Sequence, residues 1–114
     1  MSSKIDHIAL LVDDLEIAEN WYLENLDAVV EFKDQYYTRL RLHNTCIALI
    51  DKTRYPYEHI AILIENIEDL PTERGEVVKH RDGTIGVYVK DPFGNYLEYI
   101  WYSDNQKEVF LKDG

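Results

Sequence analysis

Two stretches of the chain carry the same run of apolar and polar positions: residues 7–16 read HIALLVDDLE and residues 59–68 read HIAILIENIE, 52 residues apart. Each is a β-branched, apolar run closed by a pair of acidic or amide residues and another apolar residue, the pattern of a buried strand that hands the chain to a helix N-terminus. A repeat at fixed spacing is read as two copies of one structural unit. After the first run, Leu15, Ala18, Trp21, Tyr22 and Leu26 recur at helical spacing, with Glu16, Glu19 and Glu24 for the wet face and Asp13 or Asp14 as the N-cap. Strands are then predicted at about 29–33, 36–42 and 45–50, where Thr38-Arg39-Leu40-Arg41-Leu42 alternates with the period of two. In the second copy Pro71 and Gly75 limit the helical segment between Ile67 and Glu73 to a turn or two. Strands follow at 76–80, 84–90 and 95–101, with turns at Arg81-Asp82-Gly83 and at residues 91–95, DPFGN.

The chain therefore reads as α+β: paired βαβββ modules forming a mixed, cupped β-sheet with helices outside. Module one is residues 4–50, the linker 51–56, module two 57–102, and a polar tail 103–114 offers Val109, Phe110 and Leu111 as a docking spot. At 114 residues this is one domain.

Composition narrows the function classes. A formal net charge of −10 opposes binding to a phosphate backbone, which needs clustered Lys and Arg, while it tolerates neutral or cationic ligands and attracts metal cations. Cys46 is the lone cysteine, so an intrachain disulfide and a thiolate cluster are both excluded. No signal-peptide pattern and no run of membrane-spanning length is found, and the expectation is a cytoplasmic protein that acts on a small molecule.

The candidate chemistry sits on the repeat. His7 and His59 occupy equivalent positions, and on each strand an alanine two residues on, Ala9 or Ala61, shares the face and leaves space beside the ring. Glu98 lies between Leu97 and Tyr99 in an apolar closing strand, where a buried carboxylate is costly without a cation or a hydrogen-bonding partner. Two imidazoles and a carboxylate make a three-donor set with open positions, suited to Fe(II) and also to Mn, Ni, Co or Zn. Arg39 and Arg41 alternate on one strand face and are candidates to bind a substrate carboxylate. His80, beside a turn, has little claim to a role.

The two βαβββ units, the histidine opening each, residues 21–26 (WYLENL) and residues 91–98 (DPFGNYLE) together resemble the vicinal oxygen chelate superfamily, which includes glyoxalase I, extradiol dioxygenases and bleomycin-binding proteins. The resemblance covers residues 4–102 and implies metal ligands at His7, His59 and Glu98. The fourth ligand of glyoxalase I and of methylmalonyl-CoA epimerase falls on Ala48, so three-ligand chemistry of the extradiol type is favoured, with a lyase or isomerase next and a non-catalytic drug-binding protein third. Tyr88, ten residues before Glu98, matches an active-site tyrosine of the three-ligand groups. The acid-base histidine of the extradiol enzymes falls on Thr45, which leaves His43 as the weaker stand-in. A homodimer is expected, with the site formed either within one chain or between two.

Overall fold

The computed structural model describes residues 3–80 and 82–103. The elements run β1 (Ile5–Val12), α1 (Leu15–Asn25), β2 (Val29–Lys33), β3 (Tyr37–Arg41), β4 (Cys46–Asp51), β5 (His59–Ile64), a 3-10 turn (Ile67–Asp69), β6 (Glu76–Lys79), β7 (Ile85–Lys90) and β8 (Tyr96–Trp101). This is the predicted α+β order with a mixed sheet, strand sequence β2-β3-β4-β1-β5-β8-β7-β6, and open edges at β2 and β6. The second helical segment shrinks to the single 3-10 turn, because Pro71 stops its extension. The proposed docking residues Val109, Phe110 and Leu111 lie outside the described residues.

The chain divides into two compact units, residues 7–59 and residues 1–6 with 60–114. In the first, β1 runs parallel to β4, which is flanked antiparallel by β3 and then β2. In the second, β5 runs parallel to β8, with β7 and β6 following antiparallel. The connection between each parallel pair runs through the helical segment and two strands, so both copies build the same four-stranded ladder. The opening residues of β1 belong to the second unit: Leu63 N–H donates to the Lys4 carbonyl at 3.0 Å, and buried Tyr102 donates its hydroxyl to buried Asp6 at 2.7 Å.

Helix α1 starts where the polar pair predicts. Asp14 is extended at φ −137° and its carboxylate accepts from Ile17 N–H at 3.0 Å, satisfying one of the free donors of the first turn. Two members of the helix pattern are placed differently from expectation. Trp21 stays 56% exposed, its ring edge-on to Tyr22, because α1 lies shallowly on its unit and buries no residue fully. Glu19 turns inward, with its side chain 13% exposed, to meet Lys33 at 3.4 Å.

The residues 91–95 turn is held by Asp91, whose Oδ1 accepts from the backbone N–H groups of Asn95 at 2.9 Å and Phe93 at 2.8 Å, while Gly94 adopts φ 92°. These bonds, that to Asn95 first, hold the Asp91 carboxyl below the usual carboxylate range. A depressed folded-state pKa contributes stability that is present above the unfolded value and is lost as pH falls through the folded one. Acidification is therefore expected to retain slow amide exchange at Phe93 and Asn95 in the wild type below the ordinary Asp range. Asp91→Asn is expected to show faster exchange at those two amides already at neutral pH, readable by NMR.

Candidate functional site

Strand register places the sequence candidates on shared faces. In the first unit His7 pairs with Cys46 and Cys46 with Arg41, while Ala9 pairs with Ala48 and Ala48 with Arg39. Alternation then puts His7, Ala9, Cys46, Ala48, Arg39 and Arg41 on one face. Ala9, Cys46 and Ala48 are buried at 0%, 0% and 4% exposure, so their small side chains floor this face without projecting from it.

His7 and His59 are both buried, with their Nε2 atoms 3.4 Å apart and their rings edge-to-face. Arg39 Nη1 lies 3.5 Å from His7 Nδ1. A cation bound by both Nε2 atoms would stand between the rings. The spacing suits one, since two nitrogens each about 2.1 Å from an ion at a tetrahedral angle are about 3.4 Å apart.

The arginines predicted as carboxylate binders face a carboxylate of their own chain. Glu31 falls at the break in the β2–β3 register between Val30 and Phe32, and a bulge of this kind re-aims a side chain. Its oxygens accept from Arg41 Nε at 2.9 Å and Arg41 Nη2 at 3.3 Å, and Arg39 Nε stands 3.8 Å away. Cys46 donates its thiol to Glu31 at 3.2 Å, and burial chiefly pushes that thiol up to about 12, so it stays neutral and unreactive at physiological pH. His43 is exposed in the β3–β4 turn.

In the second unit, β8 carries Glu98, 1% exposed, between Ala61 on β5 and Tyr88 on β7. Its Oε2 lies 2.5 Å from His80 Nε2. This contact is the largest departure from the sequence expectation, which gave His80 little claim. His80 follows β6 directly, its backbone N–H donating to the Thr84 carbonyl at 2.9 Å, while Asp82 accepts from the Thr84 N–H at 2.9 Å and Gly83 takes φ 91° to close the turn. Between the ring and the carboxylate lies Gly86: a Cβ there would stand 2.1 Å from Glu98 Oε2 and 2.9 Å from His80 Nε2. An isolated glycine inside a strand marks such a close approach, and this was the available sequence signal for His80. Tyr88 is half-buried, its ring edge-on to His80 with centroids 6.1 Å apart.

No family model and no curated protein matches the sequence. Solved structures do. Methylmalonyl-CoA epimerase from Mycobacterium tuberculosis superposes with a TM-score of 0.71 at 13% identity, covering 92% of this chain and 91% of its own. A glyoxalase/bleomycin resistance protein/dioxygenase superfamily member from Vibrio splendidus 12B01 gives 0.63 at 12% identity, covering 89% and 100%. An extradiol ring-cleaving dioxygenase from B. fuscum gives 0.62 at 19% identity, covering 88% of this chain but 32% of that enzyme. The fold of this chain is the one these proteins share. Among the described residues no helix is long and apolar enough to cross a membrane.

Proposed function

We propose that the chain is a mononuclear divalent-metal enzyme of the glyoxalase and dioxygenase superfamily, with His7, His59 and Glu98 as the ligands and a small oxygen-bearing molecule as substrate. The observation that carries this reading is the buried His7–His59 pair, whose ring nitrogens face each other at a spacing that fits two ligands of one ion. Glu98 supports it from the second unit, as a buried carboxylate opposite Ala61, which lies two residues beyond His59 on the same strand and the same face. All three are buried and of ligand type, a group that could hold a metal ion. When bound, the ion would act as a Lewis acid toward substrate oxygens, Fe(II) being favoured and Mn, Ni, Co or Zn the alternatives.

The chain's own residues supply the rest. Tyr88, the direct strand partner of Glu98, is the proposed catalytic residue, its phenol donating a hydrogen bond to a substrate oxygen. Arg39, beside His7, and Arg41 behind it give an anionic end of the substrate a guanidinium to meet. Ala9 and Ala48 leave the floor low and take up no coordination position, which favours three ligands and an extradiol-type oxygenase. His43, exposed in its turn, is the weaker acid-base candidate. Cytoplasmic placement and a homodimer belong to the same reading.

Anaerobic reconstitution with Fe(II), followed by a panel of catechols in an oxygen electrode, tests the subtype. Substrate-dependent oxygen uptake is expected, falling at least tenfold in Tyr88→Phe. A second reading, a lyase or isomerase, is favoured by the superposition on the epimerase, which spans nearly the full length of both chains. Silence with every catechol together with turnover of thiol hemiacetals would replace the first reading by the second.

A further inference from the structure

His80 stands apart from the repeat that marks the other candidates, since the equivalent place in the first unit carries no histidine contact to a strand carboxylate among the described residues. Its position follows from three features. The β6–β7 turn closes with His80 opposite Thr84, so His80 shares a face with Val78 and hence with Gly86, the register partner of Val78. Gly86 pairs with Ile100 on β8, and Glu98 is two residues from Ile100 on the same face, a diagonal neighbour. A side chain at residue 86 would fill the diagonal. Its absence opens a slot through which the imidazole reaches Glu98 Oε2 at 2.5 Å.

We propose that His80 is the positioning residue of Glu98, donating its Nε2–H to Oε2 so that the carboxylate is held in one rotamer with Oε1 as the ligand atom, and that Gly86 is the slot that permits it. The proposal rests on the reading of Glu98 as a metal ligand and adds residues that reading does not contain. Its physical basis is that a glutamate has three side-chain torsions to fix, and a charge-assisted hydrogen bond to one oxygen removes most of that freedom before the ion arrives. Partners of this kind typically cost 10–100-fold in metal affinity when lost. The His80 ring is itself steadied edge-on against Tyr88, so the residue that aims the carboxylate also abuts the proposed catalytic phenol.

Calorimetric titration of the full chain with Zn(II) and Mn(II) tests this, on wild type, Glu98→Ala, His80→Ala, His80→Gln and Gly86→Ala, with thermal melts of each. His80→Ala is expected to weaken binding by roughly 10–100-fold, measured below its melting temperature, and to melt lower than wild type without metal because buried Glu98 loses its partner. His80→Gln, which keeps an N–H donor, should recover part of the loss, a rescue that lost packing alone would not produce. Gly86→Ala should weaken binding through the displaced carboxylate, with His80 unchanged. Wild-type affinity in His80→Ala, where Glu98→Ala has lost binding, would overturn the proposal and leave the ligand assignment standing. Binding that survives in Glu98→Ala, or is missing in the wild type, would overturn both.

Discussion

His7→Ala, His59→Ala and Glu98→Ala are each expected to lose tight binding of a divalent ion, by more than the roughly 10–100-fold that loss of an outer partner costs. The reason is the donor count. With Ala48 offering no ligand atom, a three-donor site reduced to two holds a hydrated ion little better than a pair of surface side chains. The variants should differ in their melts without metal. His7→Ala removes a buried ring between His59 and Arg39, whereas Glu98→Ala removes a buried carboxylate and leaves His80 to be solvated. Isothermal titration with Zn(II) or Mn(II) reads the first effect and calorimetric melting the second. Retention of wild-type affinity in any one of the three would remove that residue from the site.

The largest expected loss of stability away from the site comes from Gly75→Ala. A Cβ at Gly75 would stand 2.0 Å from the Tyr88 carbonyl oxygen and 2.8 Å from its carbon, with Val89 Cγ2 at 3.1 Å. Two of these three atoms are backbone in the middle of β7, paired on both sides, so no rotamer change relieves the contact. Overpacking of this kind costs about 1–3 kcal/mol, and for a domain near this size each kcal/mol lowers Tm by about 4–8 °C. Because Tyr88 is the strand partner of Glu98, the same shift should reach the site and lower activity in samples that remain folded. A melting temperature equal to that of wild type would show that the β6 edge gives way freely and that Gly75 is not required there.

How much of this was legible in the sequence divides by range. The repeat gave the two units, because a buried strand delivering a helix cap writes itself into ten consecutive residues, and Asp14 then caps α1 as its spacing predicts. His7 and His59 were legible as a pair because equivalent positions in two copies of a unit share an environment. What depended on register was hidden. Alternation along β2 does not reveal that it slips at Glu31, and it is this slip that turns Glu31 toward Arg41 and Cys46. The His80 contact is hidden for the same cause, since it crosses two strands diagonally and requires the absence of a side chain at Gly86. The depth of α1 was also unreadable: periodicity says that Trp21 shares a face with Ala18 and Tyr22, not how far that face is covered, and Trp21 stays largely exposed.

The proposed centre is one divalent ion with His7, His59 and Glu98 as its ligands. Anomalous diffraction from crystals of the full chain reconstituted with Co(II), recorded on both sides of the cobalt edge, tests it most directly. The expected result is one peak per chain, bonded to His7 Nε2, His59 Nε2 and a Glu98 oxygen whose other oxygen stays on His80. A cobalt-loaded crystal with its peak at any other set of side chains, or a protein that takes up no cobalt, would contradict it.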